Sequence, residues 1–275
     1  MIDLGKTQKD YAFYLPAISS FYVKQLDKLQ KEGAPRVPEG LELGHEGMDF
    51  LKDKDTYYYY PWGLYSAGHA QLDLEKLDAD AMITNRDRSK TMILGDSGGF
   101  QIATGVIKMD WANAINPNDP EREKLVDKIL KWEEEQCDWA MTLDVPPFAA
   151  FPPFNKKTGL ETFEQTMTIS LYNLDYYMKN RTPGKCKFLN VMSGVDQPTC
   201  DEWYEKVKHF SDPKFCQEAY GNSELALEGY AFADLQKRNM RMALRRILKL
   251  REDGLLEGKG WIHFLGTGKL DWACY

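Results

Sequence analysis

Short apolar or aromatic runs recur along this chain, each bounded by polar or glycine-rich stretches. They alternate with longer segments in which apolar residues return every three or four positions. The short runs predict strands at residues 11–18, 57–65, 92–95, 139–143, 187–192, 225–232 and 261–265. The longer segments predict helices over residues 121–136, 163–179, 201–210 and 235–251. Strands that alternate with helices of this length predict a parallel sheet covered by its crossover helices. The expected fold is therefore α/β, in one domain over residues 1–275. Seven strands make it a TIM-like (β/α)8 barrel lacking its eighth strand in this chain.

Length agrees with that expectation. At 275 residues and 43% hydrophobic content, the chain can bury a core of the size that a single barrel of about 250 residues requires. It contains no apolar run of about 18 residues and opens on no charged-then-apolar leader, so the expectation is a cytoplasmic protein without a membrane partner. Cysteines 137, 186, 200, 216 and 274 are widely spaced and include no CxxC pair, which argues against a disulfide scaffold and against a zinc site completed within this chain.

The most informative local pattern is Gly95-Asp96-Ser97-Gly98-Gly99-Phe100-Gln101, directly after the apolar run Met92-Ile93-Leu94. The run buries itself as a strand, and paired glycines let the backbone turn sharply and approach a flat ligand closely. Asp96 then stands on a rigid mount at the strand end. By itself the composition is also that of an ordinary loop. A second aspartate, Asp144 in Thr142-Leu143-Asp144-Val145-Pro146-Pro147, again follows an apolar run. Either carboxylate has a plainer reading as the cap of a following helix.

The first of these patterns resembles the DSGGFQ signature of the tRNA-guanine transglycosylase family, the queuine tRNA-ribosyltransferase-like enzymes that swap a guanine in a nucleic acid for a 7-deazaguanine. The Asp144 segment stands where that family has its second base-reading aspartate. Val191-Met192-Ser193-Gly194, Glu228-Gly229-Tyr230-Ala231-Phe232 and Phe264-Leu265-Gly266-Thr267-Gly268 are similar to its VVQG, GGLAV and LMGVG blocks, in the same order. The pattern Leu189-Asn190-Val191-Met192-Ser193-Gly194 with the following Asp201-Glu202-Trp203-Tyr204 looks closer to DpdA-type transglycosylases, which act on DNA in phages and bacterial modification clusters.

The resemblance implies a pentosyltransferase. Breaking a glycosidic bond through an oxocarbenium-like transition state needs one carboxylate at the sugar and other groups to hold and protonate the leaving purine. On that footing Asp96 binds the base and acts as general acid and base, and Asp144 accepts hydrogen bonds from the guanine N–H edge. Ser97, Gly98, Gly99 and Gln101 belong to the same base-binding turn, with Phe100 stacked on the purine opposite Leu265 and its neighbour Gly266. Backbone groups of Gly229 and Tyr230 read the remaining edge, and Ser193 with Gly194 completes the pocket. Ser193 departs from the family's glutamine: it is shorter and cannot present an amide's donor and acceptor together. Gln197 could take over from the loop, although Asp-Gln-Pro is equally a turn.

The expected partners are a free 7-deazaguanine base and a nucleic acid, DNA before tRNA. A net charge of −7 is unusual for such a partner. The segment 237–251 nonetheless carries Lys237, Arg238, Arg241, Arg245, Arg246, Lys249 and Arg251 with apolar residues at helical spacing. It reads as a solvated helix face or as a phosphate-binding one. The family's zinc ligands and sugar-attacking aspartate lie beyond its seventh strand. No cofactor or metal is therefore expected within this chain, and Asp144 and Asp271 are the carboxylates available for that attack. A barrel with two unpaired edges invites a second copy or a complementing polypeptide. Exchange in tRNA and a noncatalytic base- or nucleic-acid-binding subunit of a split enzyme stay open beside exchange in DNA, as does an unrelated barrel hydrolase. His263, the tyrosines 57–60 and Trp62 read as packing residues or as contacts to the nucleic acid.

Overall fold

A computed structural model of the protein describes residues 16–18, 39–40, 42–44, 46–67, 81–233 and 240–266, together with Tyr22 and Lys28. Seven strands form one parallel sheet in sequential order: β1 (Ala17–Ile18), β2 (Trp62–Ser66), β3 (Met92–Asp96), β4 (Trp139–Met141), β5 (Lys187–Met192), β6 (Gly229–Phe232) and β7 (Trp261–Phe264). The described helices are α1 (Ala81–Thr84), α2 (Gly99–Ala103), α3 (Pro120–Gln136), α4 (Asn155–Thr158), α5 (Phe163–Asn180), α6 (Gln197–Val207), α7 (Pro213–Tyr220) and α8 (Met240–Glu252).

The two faces of the sheet separate by strand parity. Met92, Leu94, Trp139, Met141, Leu189, Val191, Ala231, Trp261 and Leu265 pack together on one face. Ile93, Ala140, Phe188, Met192, Tyr230 and Phe232 enter the larger core under the helices. Because both faces are buried, the strands read as continuous apolar runs. The sheet curls into a half-barrel. Trp62 of β2 and Trp261 of β7, with β3 to β6 between them in the sheet, meet at a ring-centroid distance of 5.6 Å. Trp139 of β4 closes on the same Trp261 ring at 5.7 Å. Even so, every residue of β7 is only half-buried, whereas every residue of β4 and β6 is buried.

Helix starts follow their caps. Asp119 accepts the Arg122 N–H at 2.7 Å ahead of Pro120, which opens α3, and Thr162 with Gln165 forms a capping box on α5. The expected helix 201–210 begins earlier, at Gln197, because Asp196 and Thr199 form a second capping box around Pro198. The expected strand 57–65 begins later, at Trp62. Pro61 has no N–H to enter a ladder, and the tyrosines ahead of it pack on the preceding turn, where Tyr58 stacks on Phe50 at 5.7 Å. The expected strand 225–232 begins later, at Gly229, and its first expected residue, Leu225, closes the 3-10 turn Ser223–Leu225 instead. Residues 11–15 and 235–239 of the expected first strand and last helix lie outside the described residues. Among the described residues, no helix is long and apolar enough to cross a membrane. Cys137, Cys186, Cys200 and Cys216 are buried and are not joined in disulfides.

Candidate functional site

The two aspartates meet at the C-terminal ends of β3 and β4. Asp96 is the last residue of β3, and its parity with Met92 and Leu94 puts it on the lumen face of the half-barrel. Its carboxylate turns back to accept the Gly98 N–H at 3.2 Å, and its carbonyl accepts the Ala67 N–H at 2.8 Å. Gly98 adopts φ +97°, a left-handed conformation that turns the chain into α2. The next glycine has a different reason to be there. A Cβ at Gly99 would lie 2.8 Å from Asp144 Oδ1 and 2.9 Å from the Asp144 carbonyl. The second carboxylate therefore occupies the space that a side chain at position 99 would fill.

Asp144 follows β4 by three residues. Its Oδ2 is buried without a hydrogen-bond partner, while part of the residue stays open to solvent. Burial, reinforced by the charge of Asp96, pushes its carboxyl up to about 7. The loop that carries it is held from behind by α5: Ser170 Oγ accepts the Val145 N–H at 2.9 Å, and Asn173 donates to the Leu143 carbonyl at 3.2 Å. A third carboxyl lies deeper. Glu133 on α3 is fully buried and accepts the Tyr177 hydroxyl at 2.6 Å. Burial drives it well above the usual carboxylate range, with the Asp96 charge adding to the shift. Its sequence signal is its place on the buried stripe Val126, Ile129, Leu130, Glu133. Ser170 and Asn173 gave no comparable signal, being polar residues on an ordinary amphipathic helix.

An aromatic rim adjoins the pair. Phe100 is 52% exposed and leans on Phe148 at 6.2 Å, which in turn meets Phe154 edge-on at 5.2 Å. A large apolar side chain on the first turn after a strand-end carboxylate, half in solvent, has the makings of a stacking surface. Gln101 points inward, 8% exposed, with its Oε1 unpartnered.

The remaining expected residues divide. Ser97 is buried and donates to the Thr142 carbonyl at 3.3 Å, so it ties β3 to the segment after β4 rather than facing an open site. Ser193 is buried just beyond β5. Gly194 has φ +151°, and a Cβ there would sit 2.3 Å from Cys200 Sγ, so its smallness lets the loop lie on α6. Gln197 is the exposed first residue of α6. Leu265 follows β7 on the lumen side, and Gly266 turns the chain at φ +74°. Gly229 opens β6 instead of ending it. A Cβ there would strike the Trp261 carbonyl at 2.4 Å. The Tyr230 ring is fully buried on the helix side, where its hydroxyl donates to the Leu255 carbonyl at 2.7 Å. His263 shares the lumen side with Trp261 and Leu265, and burial lowers its imidazole to about 4, leaving it neutral at physiological pH.

The basic helix is largely occupied with its own neighbours. Arg245 bonds Asp201 through Nε at 3.2 Å and Nη2 at 3.1 Å, Lys249 lies 3.6 Å from Glu205 and 3.7 Å from Asp253, and Arg246 is buried. Arg241 and Arg251 are exposed; Lys237, Arg238 and Asp271 lie outside the described residues. No group of three or more His, Cys, Asp or Glu side chains able to hold a metal occurs among the described residues.

Chemically, the arrangement offers two carboxylates, Asp144 raised toward neutrality, beside an exposed ring, at the strand ends where parallel α/β folds bind their ligands. No family model, curated protein or solved structure matches this chain.

Proposed function

We propose that this chain exchanges a guanine base in DNA for a 7-deazaguanine derivative, at the C-terminal end of a (β/α)8-type barrel that lacks one strand here. The observation that carries the reading is the placing of two carboxylates at neighbouring strand ends, Asp96 near enough for its charge to act on Asp144 and Asp144 filling the side-chain-free space at Gly99, next to the exposed Phe100 ring. A purine lying on Phe100 would present its N–H edge to these groups. Asp144 is poised near neutrality: ionised, both its oxygens accept from the donor edge of guanine; protonated, it keeps a single acceptor oxygen and turns a donor toward that edge.

In this reading Asp96 carries the proton. As a carboxylate oxygen bonds to C1′ of the sugar, the C1′–N9 bond breaks, its electron pair goes to the departing base, and that base takes a proton from Asp96. The incoming base returns a proton to Asp96 as its own ring nitrogen displaces the carboxylate from C1′. With Asp144 committed to the base, Asp271 is the carboxylate the sequence offers for the attack. A nucleotide in duplex DNA must be extruded to reach such a site, at a cost of a few kcal/mol for unstacking.

The test is incorporation of labelled guanine by the purified chain, offered duplex DNA and bulk tRNA in parallel, with Asp96→Asn alongside. Label in DNA that the substitution abolishes is the expected result. Label in tRNA would replace the DNA substrate with tRNA. No label in either, from folded protein, would overturn the enzymatic reading. The half-exposure of all four β7 residues favours one second reading, a base-binding subunit completed by another polypeptide. Light scattering after size exclusion, showing a stable monomer that is active alone, would remove it.

A further inference from the structure

The two segments that flank the paired aspartates, residues 97–109 and 145–160, contain three lysines, Lys108, Lys156 and Lys157, and no carboxylate of their own, in a protein whose net charge is −7. The structure packs these segments onto one another. Helices α2 and α4 and the 3-10 turn Pro147–Ala150 are mutual neighbours. The stem of Lys157 lies 3.2 Å from where a Cβ on Gly105 would stand, and its ammonium donates to the Thr104 carbonyl at 2.9 Å. All three lysines are exposed. Beside them Val106 is 57% and Phe151 39% exposed, and Phe100 opens to solvent at the edge of the site. The result is a basic, aromatic surface bordered by the exposed Asp110 and Glu161 and joined to the Phe100 side of the carboxylate pair through the Phe100–Phe148–Phe154 contacts.

We infer that this surface is the track for the nucleic-acid strand on either side of the extruded base, with Lys108 and Lys156 meeting phosphates and Phe151 stacking on a neighbouring base. The inference rests on the base-exchange reading for its choice of partner. Charge complementarity and stackable rings together are what single-strand binders use. The basic helix α8, with Arg245 and Lys249 already facing acids, is a poorer fit for that role. Lysines in the track also offset the repulsion that a polyanion meets from Asp96 and from the net negative charge of the protein.

The probe is a fluorescein-labelled single-stranded DNA of about 20 nucleotides, long enough to cover a binding site of ordinary size. Its anisotropy is followed across salt concentrations with the full chain. Lys108→Gln together with Lys156→Gln is expected to weaken binding about tenfold or more and to flatten the log–log salt slope by about 1.4, as two lost phosphate contacts on a single strand imply. Phe151→Ala is expected to weaken binding about fivefold to a hundredfold with the slope unchanged. Lys131→Gln with Lys179→Gln, on exposed faces of α3 and α5, makes the same change in net charge and is expected to leave affinity within about twofold. Track variants that bind like the unaltered protein would overturn the inference. So would a control pair that loses as much, or an unaltered protein that binds no DNA. Calorimetric titration with free guanine separates this from the reading beneath it. Guanine binding with no role for the track sinks the track alone; DNA binding through the track without guanine binding sinks base exchange and leaves the surface standing.

Discussion

At the scale of single residues, the site is built from what Gly99 omits and what burial does to Asp144. Gly99→Ala puts a methyl group within 3 Å of two Asp144 oxygens, one of them backbone, so the loop after β4 must shift. The expected outcome is a loss of about 1–3 kcal/mol in stability together with weakened binding of free guanine, read by thermal melting and calorimetry. Asp144 gives a sharper, pH-dependent expectation. Its folded-state carboxyl, pushed up to about 7 from an ordinary 3.8, holds its proton more tightly than in the unfolded chain. It therefore favours folding below pH 4, and that contribution is lost as pH rises through about 7. Asp144→Asn mimics the neutral form. Its stability advantage over the unaltered protein should grow between pH 4 and 7 and level off above, reaching about 1–3 kcal/mol, less than the full shift implies because part of the residue is solvated. Guanine affinity of the unaltered protein should run the other way, rising by up to about tenfold per unit below pH 7 and flattening above it, because only the ionised form accepts with both oxygens from the donor edge. A flat stability difference across that range would show that Asp144 titrates normally and is no proton-linked reader of the base.

At the scale of elements, what was legible in the sequence is what burial writes into it. Each of the seven strands falls on a run that predicted it, with β2 and β3 each running one polar residue past the predicted end, to Ser66 and Asp96, because a parallel sheet covered on both sides needs continuous apolar residues. Boundaries slipped where chemistry other than hydrophobicity decided: Pro61 delayed β2, and the Asp196–Thr199 box advanced α6. Asp96 and Asp144 stood out because each breaks an apolar run at its end. Their supports did not, because a serine and an asparagine on α5 look like any polar residues of an amphipathic helix until the fold turns them toward the β4 loop. Nor could spacing alone foresee that Tyr230 faces the helices, since parity is set by the register Asn190↔Tyr230↔Ile262. Ser170→Ala tests the brace. It leaves the buried Val145 N–H without its acceptor, which costs about 1–3 kcal/mol. It should also weaken guanine binding more than a comparable substitution remote from the loop. Unchanged affinity at lowered stability would reduce Ser170 to a fold residue.

For the whole molecule, the question is what keeps an open seven-stranded sheet curled, since the described strands include no pair that closes β7 against β1. The aromatic contacts across the lumen supply one answer. Trp261 touches both Trp62 and Trp139, joining β2, β4 and β7 where hydrogen bonds join only adjacent strands. Gly260 must lack a side chain to let the Trp139 ring lie 2.9 Å from its Cβ position. Curvature matters for the proposed site, because Leu265 and His263 share the lumen face with Asp96 and would face it only if the sheet stays bent. Trp261→Ala removes both long-range contacts at once. Half-burial of the side chain sets the expected cost at about 2–4 kcal/mol, toward the lower end for a buried tryptophan. The telling readout is where that loss falls. If the tryptophans hold the curl, hydrogen exchange in Trp261→Ala should quicken in β2 and β7 together, though they are far apart in sequence, and guanine affinity at the distant strand ends should fall. If exchange quickens in β7 alone and affinity is kept, the backbone ladder by itself sustains the half-barrel, and the tryptophans merely fill its base.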